Sequence, residues 1–188
     1  MTPHSVAMLC WFAFAIVWLV MAFGRKRAVR TENPVGRLLQ WTYLGIAYIL
    51  LFRTHLDTGA LNQRFVPASP WVAWFGAFLA VVGIGLAIWA RIHLGRQWSA
   101  AVTIRAEHEL IATGPYARLR HPIYTGMLTA MLGTALTLGE WRGLMAVLIA
   151  TIGFSFKAKK EERFLEEEFG PAFEEHRRRT GFLLPRLG

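Results

Sequence analysis

The sequence predicts an all-α integral membrane protein of five transmembrane helices, and three observations carry that prediction. The chain is 54% hydrophobic and only 18% charged, a balance too apolar for a water-soluble domain of 188 residues. Its apolar residues fall in blocks of about 15–22, close to the length that crosses a bilayer as a helix. Its Lys and Arg residues divide unequally between the segments that join those blocks. The net charge of +9 does not indicate nucleic acid, because the basic residues flank apolar blocks instead of forming one patch. A single cysteine, Cys10, allows neither an internal disulfide nor a Cys-based zinc site, and its apolar surroundings suit inert packing.

The first block covers about 8–23 and is followed by Arg25-Lys26-Arg27. A secretory signal peptide carries its positive charge ahead of the apolar run, so this block is expected to stay as a helix. A polar linker leads to the second block, about 38–52, and a loop with Pro67 and Pro70 as breakers precedes the third, about 71–92. In the third block Gly76, Ala80, Gly83, Ala87 and Ala90 recur at helical steps, a small-residue face that another helix can approach closely. A polar stretch, 93–120, follows, with short strand or turn character at 101–104. The fourth block, 122–138, starts on Pro122, where a missing N–H costs nothing, and carries a second small-residue face of Gly126, Ala130, Gly133 and Thr137. Gly139-Glu140-Trp141-Arg142 is short enough to make blocks four and five an antiparallel hairpin, the fifth covering about 141–156. The charged remainder, 157–188, has Phe164, Leu165, Phe169 and Phe173 near helical spacing, with breaks marked by Gly170-Pro171 and Gly181. Tryptophans 11, 41, 71, 74, 98 and 141 near block ends suit an interfacial belt.

With five spans, eighteen Lys and Arg residues collect on one side and three on the other (Arg53, Arg64 and Arg142). The positive-inside rule then puts the N-terminus outside and the C-terminus in the cytoplasm. The 93–121 segment and the charged tail share the cytoplasmic side. They are expected to form one pocket on a single membrane domain spanning 1–188.

The densest chemistry lies in Gly114-Pro115-Tyr116-Ala117-Arg118-Leu119-Arg120-His121-Pro122-Ile123-Tyr124. It ends at the N-terminus of helix four, where unsatisfied N–H groups and the helix dipole favour an anion. Arg118 and Arg120 would strengthen that, and Arg120, beside the His121-Pro122 turn, is the candidate catalytic residue; as headgroup anchors, both would have only a structural part. His121 suits hydrogen bonding or proton transfer near neutral pH, or plain helix capping. Tyr116 and Tyr124 offer flat faces to an adenine or a sulfonium, or serve as interfacial belt residues. After helix five, Lys157-Ala158-Lys159-Lys160-Glu161-Glu162 places carboxylates where they could grip ribose hydroxyls, or form a membrane-exit charge cluster with helical pairing. Glu161 and Glu162 are the functional candidates, whereas Glu166, Glu167 and Glu168 suit a solvated face. His93, His108 and His176 are scattered without carboxylates at ligand spacing, so no metal site is expected.

Taken together, these residues resemble the isoprenylcysteine carboxyl methyltransferase family, including its prokaryotic members. The likeness rests on His108-Glu109-Leu110-Ile111, Gly114-Pro115-Tyr116, Arg120-His121-Pro122-Ile123-Tyr124, Glu161-Glu162, Phe169-Gly170 and Gly181-Phe182-Leu183-Leu184-Pro185. Leu94-Gly95-Arg96-Gln97-Trp98-Ser99 is similar to a segment of prokaryotic relatives. The resemblance covers about 94–185 and implies S-adenosylmethionine as methyl donor. It implies cofactor contacts from His108, Glu109, Leu110, Ile111, Tyr116, His121, Pro122, Ile123, Tyr124 and Glu161, with Glu162 the second candidate of the acidic pair. It also implies a lipophilic acceptor from the membrane, carboxyl O-methylation of isoprenylcysteine-like substrates, and a place in the inner or plasma membrane of a prokaryote. The family carries arginine where this chain has Lys157, the candidate acceptor-binding residue; lysine keeps the charge and loses the bidentate fork. Methylation of a phospholipid amine or a small thiol, an NADPH-dependent membrane reductase and a non-enzymatic scaffold are the alternatives.

Overall fold

The computed structural model describes residues 1–22, 34–53, 57–95 and 110–186. Among them lie six α-helices: α1 (Pro3–Val20), α2 (Pro34–Phe52), α3 (Pro70–Leu94), α4 (Pro122–Leu138), α5 (Trp141–Phe169) and α6 (Pro171–Arg179). Every one except α5 opens on a proline, whose fixed φ suits the first turn. Short 3-10 turns occupy Gly59–Asn62 and Gly114–Ala117. The strand character expected at 101–104, and His108 and Glu109, lie outside the described residues.

Four helices, α1, α2, α3 and α5, are long and apolar enough to cross a membrane, and α4 is a shorter apolar helix of 17 residues. Trp71, Phe75, Phe78, Val82 and Trp89 are exposed along α3, as a lipid-facing surface requires. The protein is therefore an integral membrane protein. Helix α1 starts earlier than the apolar block suggests, because Thr2 caps it by accepting from the Ser5 N–H at 3.1 Å. The larger difference is at α5, which runs 29 residues without a break instead of ending near 156. The Lys, Ala and Glu residues that follow the apolar block are good helix formers, so the charged run simply continues the same rod. It stops at Gly170, in a left-handed conformation (φ +46°).

The bundle is organised around α4, which touches α1, α2, α3 and α5. Its closest partner is α3, and the two small-residue faces meet. A Cβ on Gly76 would fall 2.6 Å from the Gly133 carbonyl oxygen, and one on Gly83 would fall 2.5 Å from that of Gly126. The backbones approach so closely that nothing larger than hydrogen fits at the crossing. On the other side Ala47 and Leu51 of α2 pack with Met131, Ala135, Ala146, Ala150 and Phe154 in the main apolar core. Helix α5 lies along α4 with Gly143 against Ala135 and Phe154 against Tyr124. Trp11 of α1 ties in by donating to Thr134 Oγ1 at 2.9 Å.

Two buried guanidinium groups finish helix C-termini, where a cation meets the negative end of the dipole. Arg142 pairs with Glu140 at 2.5 Å and donates to the Leu50 and Arg53 carbonyls at the end of α2. Arg91 donates to the Met21 carbonyl just past α1 at 2.8 Å and to Gly95 at 2.9 Å. Each arginine thus holds two helix ends together.

The α3–α4 crossing gives a matched pair of substitutions. Gly83→Ala forces a methyl into backbone of α4, and overpacking of this kind costs about 1–3 kcal/mol. Gly85→Ala, two residues away with nothing within 4 Å, removes only helix flexibility. Thermal unfolding in detergent is expected to show a lowered midpoint for the first and an unchanged or raised one for the second.

Candidate functional site

The end of α4 that begins at Pro122 is where the predicted residues gather. His121 occupies its N-cap and Arg120 precedes it, while the face of α5 carrying Phe154, Lys157, Glu161 and Glu162 passes alongside. Positions 154, 157 and 161 share one side of α5 because they follow helical steps of three and four. Because α5 continues unbroken, the charged residues are held at fixed heights above the apolar core.

Three hydrogen bonds and two ring contacts join the helices. Arg120 Nε donates to Glu162 Oε1 at 2.5 Å, and the same oxygen lies 3.1 Å from His121 Nε2. His121 Nδ1 stands 3.6 Å from Glu161 Oε2. Tyr124 donates its hydroxyl to Glu161 Oε1 at 2.6 Å. The Tyr124 ring stacks on Phe154, with centroids 4.9 Å apart and planes 8° from parallel, and the Lys157 ammonium lies 5.7 Å from its centroid. One small volume therefore holds two carboxylates, an imidazole, a guanidinium, an ammonium and a phenol.

Burial decides how these groups behave. His121 is 6% exposed. Burial alone would depress its pKa, but the hydrogen bonds and charges of Glu161 and Glu162 outweigh that and raise it above 6.5. The imidazolium is thereby favoured between the two carboxylates. Burial, followed by the charge of Glu161, pushes the Tyr116 phenol up and keeps it neutral. Burial and the charge of Arg120 lower the pKa of His176 on α6.

The C-terminal segment closes one side. Arg120 Nη1 donates to the Thr180 carbonyl at 2.6 Å and to that of Arg177 at 3.2 Å. Backbone bonds run from Arg120 N to Gly181 O and from Gly181 N to Arg118 O. Thr125 Oγ1 donates to the Leu183 carbonyl at 2.7 Å, and the Phe182 ring meets His121 edge-on at 5.2 Å. Arg120 is thus occupied with Glu162 and with the strap, while Arg118 has an exposed side chain. The 3-10 turn at Gly114–Ala117 forms the other side. Gly114 adopts φ +57°, and a Cβ there would meet the His93 ring, which in turn lies 2.8 Å from Thr113 Oγ1 and stacks near Tyr116.

The structure brings together Arg120, His121, Tyr124, Lys157, Glu161 and Glu162. Tyr116 and Ile123 belong to an adjoining apolar cluster with Ala90, against which Ile111 packs. Pro122 is fully buried and Leu110 partly so. Phe154 and Phe182 complete the site and were not among the predicted residues. Phe154 could have been found three positions before Lys157 on one helical face, whereas the approach of Phe182 depends on a tertiary fold that no spacing encodes.

A family profile described as phospholipid methyltransferase matches residues 71–172. The nickel-cobalt-cadmium resistance protein NccN of Alcaligenes xylosoxydans xylosoxydans is 32% identical over 89% of this chain and 76% of its own length. The protein-S-isoprenylcysteine O-methyltransferase B of Arabidopsis thaliana is 32% identical over 58% of this chain and 57% of its own. Among solved structures, a eukaryotic intramembrane Ras methyltransferase, isoprenylcysteine carboxyl methyltransferase, superposes with a TM-score of 0.57 at 20% identity. That likeness covers 84% of this chain and 54% of the other, so the chain spans about half to three quarters of the length of these proteins.

The histidine makes the cluster sensitive to pH. A folded-state pKa raised above 6.5 means that His121 stabilises the fold fully below that value, and that this contribution is lost as pH rises through the raised pKa. The difference in unfolding midpoint between the wild type and His121→Asn is expected to be largest at pH 6 and to shrink steadily above it. A difference that grew with pH would contradict the pairing.

Proposed function

The chain belongs to the phospholipid methyltransferase family, alongside isoprenylcysteine carboxyl methyltransferases, and from that premise we propose an S-adenosylmethionine-dependent methyltransferase whose acceptor is a lipophilic carboxylate drawn from the membrane. The observation that carries the proposal is the meeting of His121 and Tyr124 of α4 with Glu161 and Glu162 of α5, all inside the matched segment 71–172.

The donor set fits that cofactor. A carboxylate such as Glu161 accepts from paired ribose hydroxyls or balances a sulfonium. The faces of Tyr116 and Tyr124 attract a cation through their ring quadrupoles. When bound, S-adenosylmethionine supplies an activated methyl group on positively charged sulfur. Methyl transfer needs the donor sulfur, the methyl carbon and the acceptor oxygen in line, so this chain has to align them and exclude water. The small-residue contacts of α3 and α4 and the strap over His121 make a rigid enclosure of that kind. A carboxylate acceptor is already ionised near pH 7 and needs no general base. His121, held between two carboxylates, then serves as a hydrogen-bonding anchor. Arg120 fixes Glu162 and the strap, and so acts on the reaction through the geometry of the pocket.

Family membership joins proteins named for prenylcysteine methylation and for metal resistance, so the acceptor has to be argued from the site. The Lys157 ammonium over the Tyr124 ring attracts an anion and repels a protonated amine. It favours the carboxylate over a phospholipid amine. In the orientation that the charge count supports, all five apolar helices span the membrane and the pocket opens to the cytoplasm. At 1.5 Å per residue, α4 is about 25 Å long, close to the hydrocarbon thickness.

Calorimetric titration of the detergent-purified protein with S-adenosylhomocysteine is the direct test. Binding is expected for the wild type and for Glu168→Ala, whose side chain is exposed, and a loss of at least tenfold for Glu161→Ala. No binding to the wild type, or equal effects of the two substitutions, would overturn the proposal.

A further inference from the structure

Helix α2 precedes the segment matched by the family profile, which begins at residue 71. One of its residues nevertheless meets the face of α5 that carries the site. Tyr43 stands one turn before Ala47 and two before Leu51, on the face of α2 that enters the main core. A Cβ on Gly153 of α5 would overlap the Cδ2, Cε2 and Cζ atoms of the Tyr43 ring, so the ring lies directly on the α5 backbone. Gly153 is the innermost member of the face that continues through Phe154 and Lys157 to Glu161. The Tyr43 hydroxyl is buried, at the level of Gly153 and one turn before Lys157 on the adjoining face of α5.

Packing does not explain the hydroxyl. A benzyl ring would cover Gly153 equally well, whereas a phenol at this depth loses hydration and must face polar groups. Polar groups further along this face of α5, and on α4 against it, include Lys157, Glu161 and Tyr124. Lysine presents an anion with a point charge and rotatable donors; it lacks the second directed donor of a guanidinium fork. A phenol beside it supplies a donor in a direction fixed by the contact with Gly153.

We propose that Tyr43 is an acceptor-binding residue whose hydroxyl donates to the acceptor carboxylate alongside the Lys157 ammonium. The assignment rests on the carboxylate-acceptor reading above and extends it to α2. In this arrangement the acceptor head lies between α2, α4 and α5. Its apolar tail follows the α2–α5 side of the bundle, and the donor stays against the 110–121 segment.

The test uses N-acetyl-S-farnesylcysteine as the acidic probe, titrated into detergent-purified protein saturated with S-adenosylhomocysteine. Tyr43→Phe keeps the ring on Gly153 and removes only the donor. It is expected to weaken probe binding about tenfold, as loss of a charge-assisted hydrogen bond does. Binding of S-adenosylhomocysteine should stay within twofold of wild type. Gly153→Ala, which pushes the ring off α5, should weaken the probe at least as much. Equal probe binding by wild type and Tyr43→Phe would overturn the assignment, as would a parallel loss of S-adenosylhomocysteine binding, which would mark Tyr43 as a packing residue. A wild type that binds S-adenosylhomocysteine but not the acid would overturn it and leave the cofactor reading standing. Failure to bind either would refute both.

Discussion

The pairing of Arg120 and His121 with Glu161 and Glu162 is the contact on which the polar half of the structure depends. Adjacent carboxylates at low dielectric repel each other strongly, and each loses hydration on burial. They are tolerated because the imidazolium sits between them, the guanidinium pairs with Glu162 and the Tyr124 hydroxyl donates to Glu161. Removing one partner would leave an uncompensated buried charge, a larger cost than the net worth of the pair itself. The cluster therefore fixes the height of α5 against α4 and the position of the strap that Arg120 holds. It also means that any ligand entering this space replaces bonds already made within the protein. The affinity of such a ligand is accordingly a difference between two well-bonded states.

The membrane half is set by a different force. In lipid there is no hydrophobic gain in pressing one apolar helix on another, so close backbone approach and polar ties carry the association. Gly76 and Gly83 against Gly133 and Gly126 supply the first, and the Trp11–Thr134 bond, with the caps from Arg91 and Arg142, supplies the second. The consequence is asymmetric rigidity. The α3–α4 pair is locked at van der Waals contact, whereas α1 lies against that pair with Trp11 bonded to Thr134, and α2 packs chiefly on α5.

The sequence made the apolar helices and the small-residue faces legible, because spacing at helical steps is a local property. It also made Glu161 and Glu162 recognisable as partners for the His121 region, through order along the chain and resemblance. The length of α5 was less legible: a change from apolar to charged residues marks the edge of a membrane, and nothing about it ends a helix. The occupation of Arg120 by Glu162 and the strap was not legible at all. An arginine beside a histidine at a helix entrance looks equally suited to a ligand or to the protein's own carbonyls, and only the return of residues 177–183 decides between them. Tyr43 was passed over because an aromatic residue in an apolar block is ordinarily lipid-facing or core, and its contact with Gly153 joins residues 110 positions apart.

The division between the two halves bears on how such a protein changes its acceptor. The residues proposed to hold the donor come from the 110–124 segment and from the outer part of α5, which the charge cluster fixes relative to one another. Those proposed to meet the acceptor lie deeper: Lys157 one turn before Glu161 on α5, and Tyr43, on α2 ahead of the matched segment, against Gly153 two turns before it. A substitution at Lys157 or on α2 alters the acceptor side without touching the hydrogen bonds that set the height of α5. Exchanging Glu161 or His121 disturbs both sides at once, because Tyr124 connects them: its hydroxyl is bound to Glu161, and its ring lies against Phe154 and beneath Lys157. In the proposed arrangement Tyr124 is thus the residue that couples the acceptor side to the donor side. In the proposed arrangement a Lys-for-Arg difference at 157 is accommodated because the second donor comes from a neighbouring helix, with no change to the charge cluster that joins α4 and α5.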